Sequence, residues 1–408
     1  MHGIEGFIYP NELELQWSVL IVLYPFITGL VAGAFILASL ERVFNVRAVK
    51  PTYRLALLTA LSFLLVAPLP LQLHLGHPER SFEMYLTPNT RSAMAMFGFV
   101  YLWYLMVVLV LEIWLDYRKE IVDTWKASRG AKRWLYGAMA LGVDDVSPEA
   151  LRLDDRIGRA LTIIGIPSAF LLHGYVGFIF GSVKANPWWS TPLMPIVFLF
   201  SAIVSGIALV LLLYVALTRL GRRPVDMRCV DAMTSYLFYT LIIDFSLEML
   251  DLVHRLYEAD ESFKALDFMV RSRLWTSQVI LQIIVGTLVP LAILAILQLV
   301  RARVASPGAP PSRLVASIDR VRLPLYIVSG VIIMIGIFAM RWNVVIGGQL
   351  FSKSFLGYTV YKMEFATREG LLPAALLLVL PFAILAVLMK LLPPWEGPGQ
   401  RRQPEAGS

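Results

Sequence analysis

Residues 53–89 read YRLALLTALSFLLVAPLPLQLHLGHPERSFEMYLTPN. The first part, residues 53–73, is almost entirely apolar and is long enough to cross about 30 Å of hydrocarbon as a helix. Two histidines, two carboxylates and an arginine follow, and Pro78 and Pro88 prevent the helix from continuing. Ionisable side chains are therefore concentrated at one end of a predicted membrane span.

The composition assigns the whole chain to the membrane proteins. Of its 408 residues, 58% are hydrophobic and 16% are charged, whereas soluble domains carry about 25% charged residues. The mean hydropathy is +0.68. Only helices and closed barrels satisfy their backbone hydrogen bonds in lipid, and these apolar runs are longer than barrel strands of about ten residues. We therefore predict an all-α integral membrane protein.

The apolar runs predict about nine transmembrane helices, within a range of about eight to ten. We place them at residues 17–40, 53–73, 92–115, 159–181, 193–217, 230–250, 274–300, 323–340 and 371–391. Residues 1–391 then form a single polytopic membrane domain. The Pro/Gly-rich residues 392–408 are expected to be a disordered cytoplasmic tail.

The charges of the loops predict the orientation of the chain. Of the 36 Lys and Arg residues, 25 lie in or beside the loops that follow odd-numbered spans and in the C-terminal segment. The residues before the first span include three Glu and no Lys or Arg. Basic loops stay on the cytoplasmic side, so we expect the N-terminus outside and the C-terminus inside.

The sixth predicted span carries a row of carboxylates in the sequence DFSLEMLDLVH. Asp244, Glu248 and Asp251 follow at i, i+4 and i+7, which puts them on one helix face. A carboxylate in hydrocarbon is costly and usually faces the bundle interior or a water-filled cavity. The row is therefore a candidate proton path; alternatively, the helix ends near Asp244 and the three side chains are solvated.

Three more carboxylates, Asp231, Glu41 and Glu112, lie near the cytoplasmic ends of predicted spans. They extend the candidate proton path inward. Acidic residues beside basic loops also form salt bridges, so a structural role is the alternative.

The cysteine content limits the redox chemistry that the chain itself can hold. Cys229 is its one cysteine, whereas a cubane iron–sulfur cluster needs about four thiolates. Cysteine zinc sites and intrachain disulfides are excluded for the same reason. We find no nucleotide-binding or nucleophile motif, and we expect neither a metal site nor catalytic residues for a soluble substrate.

The stretch HLGHPERSFEMYLTPN, directly after the second span, resembles the motif of the NrfD/PsrC family, the membrane subunits of polysulfide reductase-type complexes. The family pattern is an apolar helix, then H-L-G-x-P-x-R, an aromatic-bearing stretch and T-P-N. The residues that fill it are His74, Leu75, Gly76, Pro78, Arg80, Thr87, Pro88 and Asn89.

The resemblance implies a fold and a function. It implies two four-helix bundles in a bacterial or archaeal cytoplasmic membrane, with the ninth span as an extra helix. It also implies that the chain binds menaquinone or ubiquinone as a substrate, without haem or an iron–sulfur cluster of its own. An iron–sulfur protein on the outer face would exchange electrons with the quinone and pass them to or from molybdopterin or cytochrome subunits.

Quinone chemistry needs an apolar slot, a hydrogen-bond partner for each ring oxygen, and groups that titrate near neutral pH. Histidine, arginine, tyrosine and amide side chains supply such partners. The candidates are His74, His77, Arg80, Tyr85 and Asn89 in the motif, and His173 in the fourth span.

Two other functions remain open at this point. A haem-b quinol oxidoreductase subunit would need histidines on facing helices, and His173 is the clearest helical candidate. A secondary transporter would typically show internal repeats around a midplane site. The basic, aromatic residues 124–143 predict an interfacial helix on the anionic inner leaflet, or alternatively a tenth span.

Overall fold

Nine long helices form the protein in the computed structural model, which describes residues 5–12, 15–87, 89–258, 263–305, 313–350, 352–354 and 356–395. They are α1 Val19–Arg42, α2 Tyr53–Val66, α3 Met96–Ala127, α4 Pro148–Gly181, α5 Met194–Leu220, α6 Met227–Glu258, α7 Trp275–Val304, α8 Arg322–Val345 and α9 Leu371–Leu391. After a turn, α2 continues as the short helix Leu69–His74.

The all-α membrane fold is confirmed. Eight segments of the described chain are long and apolar enough to cross a membrane, one for each long helix except α6. α6 has 32 residues and packs against α5 and α7, but Asp231, Asp244, Glu248 and Asp251 reduce its hydropathy. Its carboxylates therefore need partners inside the protein, since lipid offers them none.

The helices pack in two groups of four with one addition. α1 to α4 form the first group, α5 to α8 the second, and α9 lies against α2. The groups meet chiefly where α1 crosses α5. There Gly33 lies against α5 so closely that a Cβ atom on it would be 2.1 Å from the carbonyl oxygen of Ala202. Small residues allow such backbone contact between membrane helices.

Successive long helices alternate in direction, so the fold has two ends. We call the end with the segment Leu71–Thr87 the motif end, and the end with Arg42, Arg118 and Arg301 the basic end. At the motif end, Glu5–Gly6 pairs as a two-residue antiparallel strand with Gly357–Tyr358. This pairing ties the N-terminal segment to the connection between α8 and α9.

α3 and α4 extend beyond the predicted spans at the basic end. α3 continues to Ala127 instead of ending at residue 115, and α4 begins at Pro148 instead of 159. Their 32 and 34 residues make each about 50 Å long, against about 30 Å of hydrocarbon. The extensions are charged and are joined by an ion pair of 2.8 Å from Arg118 Nε to Asp154 Oδ2. Because the predicted bounds were based on hydropathy, they omitted these charged helical turns.

The segment after α3 does not form a tenth span. Residues 130–139 form a helix of ten residues, Gly130–Met139, which is too short to cross a membrane. Of the predicted disordered tail, residues 396–408 lie outside the described residues, as does Pro88 of the motif.

α3 and α7, the third helices of the two groups, each contain a π-helical segment. The segments are Trp103–Val110 in α3 and Trp275–Leu288 in α7. A π turn holds an extra residue, is rare, and often lies at functional sites. In α7 it carries Gln282, whose side chain reaches α6.

Candidate functional site

The motif forms a surface loop that is attached to the connection between α8 and α9. His74 ends the short helix Leu69–His74, and its Nδ1 lies 2.9 Å from Glu369 Oε2. The neighbouring Arg368 donates to the carbonyl of Leu75 at 2.8 Å. The motif therefore anchors two surface connections to each other at the motif end.

The other predicted residues of the motif form local contacts. His77 Nδ1 lies 3.0 Å from Glu79 Oε1, and both side chains are exposed. The Asn89 side chain accepts from the N–H of Arg91. Arg80 donates through Nε to Glu83 at 2.8 Å, and this hydrogen bond lowers the pKa of Glu83.

Tyr85 is the aromatic residue among the predicted ligands of the motif. It is partly exposed and packs edge-on against Phe99, and burial raises its pKa. No described contact connects His77, Arg80, Tyr85 or Asn89 to His173. The structure therefore separates the predicted quinone ligands into an exposed loop and a buried histidine.

His173 is fully buried between the two helix groups. Arg341 of α8 donates to its Nε2 at 3.1 Å, and Thr28 of α1 lies 3.2 Å from its Nδ1. Because a guanidinium has no acceptor, Nε2 must be the acceptor and Nδ1 must carry the hydrogen. Thr28 then accepts that hydrogen and donates its own to the carbonyl of Tyr24 at 3.0 Å.

Arg341 is the largest fully buried side chain of the described residues. Besides His173, it donates to Ser201 Oγ at 2.6 Å, and its guanidinium carbon lies 4.0 Å from the ring centroid of Phe198. Its Nε has no hydrogen-bond partner among the described residues. Arg341 escaped prediction because it directly follows a predicted span ending at residue 340, a position typical of a solvated loop.

The row of carboxylates on α6 is divided by its surroundings. Glu248 accepts from Gln282 Nε2 at 3.2 Å, and Asn343 Nδ2 donates to Gln282 Oε1 at 2.8 Å. Asp244 is buried, and its Oδ1 has no partner in the described part of the chain. Glu248 therefore orients a chain of two amides, whose last oxygen, Asn343 Oδ1, is also without a described partner.

Asp251, the third member of the row, holds a surface loop. It accepts from Thr191 Oγ1 at 2.5 Å and from Arg255 Nε at 2.8 Å. Arg255 also donates to the carbonyls of Pro187 and Trp188. Asp251 thus fixes the connection between α4 and α5, and it lies on the same continuous helix α6 as Asp244 and Glu248.

A buried tyrosine, Tyr24, and a half-buried one, Tyr175, form a second feature of the motif end. Tyr24 of α1 packs edge-on against Phe97 at 5.4 Å between ring centroids, and Tyr175 of α4 stacks on the same ring at 6.1 Å. Both hydroxyl oxygens are buried and lack hydrogen-bond partners in the residues that the structure describes. No pattern in the sequence marks this pair, because tyrosines are frequent in membrane helices.

The carboxylates at the basic end also have defined partners. Glu112 of α3 is fully buried and accepts from Thr162 Oγ1 at 2.6 Å and from Tyr53 OH at 3.1 Å. Asp231 accepts from Tyr326 OH at 3.2 Å and lies 3.4 Å from Arg322. Glu41 is half-buried in the last turn of α1.

A comparison with protein families identifies the chain. The family model described as "Polysulphide reductase, NrfD" matches residues 10–306. The chain belongs to this NrfD family. The match covers α1 to α7, so His173 and the two tyrosines lie inside it, whereas Arg341 on α8 lies beyond it.

Three curated relatives are similar in sequence to parts of this NrfD-family chain. A selenate reductase subunit of Mesobacillus selenatarsenatis is 35% identical over 205 residues, 49% of this chain and 48% of the relative. A putative dimethyl sulfoxide reductase membrane subunit of Halobacterium salinarum is 31% identical over 212 residues, 50% and 44% of the two chains. Protein NrfD of Escherichia coli K12 is 29% identical over 202 residues, 49% and 59%.

The matches span about half the length of these relatives, and two of the three are named as subunits of reductases. The chain is therefore an NrfD-family membrane protein whose relatives include subunits of reductases.

Proposed function

We propose that this NrfD-family chain is the quinone-binding membrane subunit of a respiratory oxidoreductase. Menaquinone or ubiquinone binds in the motif half of the first helix group. Two electrons pass between it and an iron–sulfur protein docked at the motif end, and molybdopterin or cytochrome subunits complete the complex. The positive-inside rule supports placing the motif end outside the cytoplasmic membrane.

The pair of hydroxyls on Tyr24 and Tyr175 is the observation that carries this proposal. A buried hydroxyl without a hydrogen-bond partner costs about 1–3 kcal/mol. A fold that keeps two such hydroxyls beside one aromatic ring is therefore suited to bind a ligand that has hydrogen-bond acceptors. A quinone has two carbonyl oxygens as acceptors and an apolar ring that packs on aromatic side chains. Phe97 contacts both tyrosine rings and supplies such a surface.

Quinone reduction consumes two electrons and two protons, and quinol oxidation releases them. The electrons come from or go to the partner's iron–sulfur cluster. Thr28 links the Tyr24 backbone to His173 and Arg341, so the neighbourhood of the tyrosines is polar and connected to both helix groups. We infer that the buried carboxylates Asp244 and Glu112 and the half-buried Glu248 exchange protons with this site, in the manner of intramembrane carboxylates in proton relays.

His173 is poorly suited to bind a haem iron. Its Nε2 accepts from Arg341 and its Nδ1 faces Thr28, so neither ring nitrogen is free to be an axial ligand. This geometry favours the quinone proposal over the haem-b alternative.

Tyr24→Phe and Tyr175→Phe, in the complex purified in mild detergent, test the proposal. Each variant loses one hydrogen bond to the quinone, so its affinity should fall about three- to tenfold, the equivalent of about 0.5–1.5 kcal/mol. The melting temperature should not fall, because no described partner loses a contact. Tyr117→Phe is the control: its hydroxyl donates to the carbonyl of Pro393 at the basic end. Unchanged quinone affinity in both variants would contradict the proposed site.

A further inference from the structure

The helix Gly130–Met139 packs at the basic end against α3 and the last residue of α9. Trp114 of α3 donates through Nε1 to the carbonyl of Met139 at 2.9 Å, and the Tyr136 hydroxyl donates to the carbonyl of Leu391 at 2.7 Å. Leu391 is the last residue of the apolar helix α9. The short helix therefore folds back along the extension of α3, and its C-terminal half reaches the end of the apolar helix α9.

A cavity opens beside this helix. It has a volume of about 460 Å³ and is lined by Trp125, Gly130, Arg133, Trp134, Gly137, Ala138 and Gly142. Arg133 is the charged side chain in this lining and has no ion-pair partner among the described residues. The indole N–H of Trp125 likewise has no described acceptor. The lining of the cavity thus includes two indole rings and one positive charge.

Apolar side chains are exposed around the same cavity. Trp134 is 76% exposed and Leu141 is 73% exposed. Tryptophan is enriched at the membrane interface, and a large exposed leucine beside it suits contact with acyl chains. Charges and apolar groups therefore meet on one surface, as in interfacial helices that bind anionic membranes.

The backbone at Leu141 supports this interpretation. Leu141 has a φ of +53° and is followed by Gly142 with a φ of +76°. The left-handed region disfavours residues with a Cβ atom, and helix ends of this kind usually use glycine or asparagine. A leucine side chain that is exposed to water makes few contacts that could offset its unfavourable backbone conformation. Insertion of this side chain into lipid would stabilise it.

We propose that this surface is a binding site for one anionic glycerophospholipid of the membrane leaflet at the basic end. Arg133 and the Trp125 indole N–H bind the phosphate, Trp134 covers the glycerol region, and Leu141 contacts an acyl chain. Lys132 lies over the ring of Tyr136 in the same helix and adds positive charge next to the site. The site is separate from the tyrosines at the motif end and does not depend on the quinone proposal.

Native mass spectrometry of the full chain in detergent tests the site. Phosphatidylglycerol, phosphatidylcholine and glycerol phosphate are titrated separately. We expect phosphatidylglycerol to bind most tightly, and Arg133→Gln to weaken its binding about fivefold, the effect of one basic side chain near an anionic surface. Arg156→Gln is the matched control, because Arg156 is exposed on α4 at the same end. Equal affinities in the two variants, or for phosphatidylcholine, would overturn the proposal.

Leu141→Gly separates strain from lipid contact. Glycine accepts the left-handed backbone, so the melting temperature in lipid-free detergent should rise. The further increase caused by phosphatidylglycerol should shrink, because the acyl contact is lost. If the lipid-dependent increase is unchanged, or if glycerol phosphate competes as well as the lipid, the acyl contact is absent and the lipid assignment is wrong.

Discussion

The guanidinium of Arg341 donates to Nε2 of His173 at 3.1 Å and thereby joins α8 to α4 across the boundary between the two helix groups. A buried cation beside an imidazole acceptor keeps that imidazole neutral and fixes its tautomer. The same guanidinium bonds Ser201 of α5. One side chain therefore holds three helices together at the level of the candidate quinone site.

Replacement of Arg341 should show how much this junction stabilises the fold. Arg341→Leu leaves His173 Nε2 without its donor and removes the buried cation that compensates the nearby Asp244 and Glu248. We expect a loss of about 3 kcal/mol, the usual cost of removing one partner from a buried charged set. Arg341→Lys keeps the charge and should lose less. Melting temperatures in detergent measure both losses, and Arg152→Leu, at an exposed position, is the control. Equal melting temperatures of all three variants would refute the stabilising role of Arg341.

The amide chain on α7 and α8 predicts different effects for two neighbouring glutamines. Gln282→Leu leaves Glu248 and the Asn343 amide without partners, so stability should fall by about 2 kcal/mol. Gln278→Leu, one turn away, removes an oxygen that has no described partner and should leave stability unchanged. Thermal melting of both variants checks this. A larger loss of stability in the Gln278 variant would contradict the proposed hydrogen-bonded chain of amides.

Glu112 at the basic end provides a test of proton transfer. Glu112→Gln keeps acceptors for Tyr53 and Thr162 but cannot take up and release a proton. If Glu112 belongs to the path, proton movement into proteoliposomes that contain the complex should fall at least about tenfold, a normal loss for a proton-transfer group. Asp123→Asn, exposed at the same end, is the control. If Glu112→Gln leaves proton movement undiminished, Glu112 has a structural role and is not part of the proton path.

The crossing of α1 and α5 predicts a strong effect of size at Gly33. A Cβ atom there would lie 2.1 Å from the carbonyl oxygen of Ala202, so Gly33→Val must separate the helices. Overpacking of this kind costs about 1–3 kcal/mol. Gly76→Val is the control, since no atom lies within 4 Å of a Cβ atom at Gly76. The two variants should differ clearly in melting temperature; a difference near zero would mean that the crossing tolerates separation.

The membrane fold could be predicted because lipid imposes a simple rule. Hydropathy and length identified helices such as α1 and α9 within two residues of their bounds. The rule ends at the membrane surface, so it could not predict the extension of α3 to Ala127. Beyond the membrane surface, ion pairs such as that between Arg118 and Asp154 stabilise the helix extensions, and hydropathy does not detect them.

The candidate site was only partly predictable. His173 and Glu248 stood out as ionisable residues in apolar segments; the structure buries His173 and half-buries Glu248, and it gives both partners on other helices. Arg341, Tyr24 and Tyr175 did not, because their importance comes from neighbours on other helices. The i, i+7 spacing of Asp244 and Asp251 indicated a shared helix face, and α6 is continuous through both, but the sequence could not show that Asp251 also holds the loop between α4 and α5 through Thr191 and Arg255.

The backbone contact between Gly33 and Ala202 also has a mechanical consequence. Transporters that work by rocking move one repeat against the other around a substrate, and such rocking needs an interface that can slide. Here the two halves touch main chain to main chain, and Arg341 and His173 join them about one helical turn away. A rocking motion between the halves would have to break these contacts, so the packing favours a working cycle based on proton transfer and side-chain rotation over one based on tilting of whole domains.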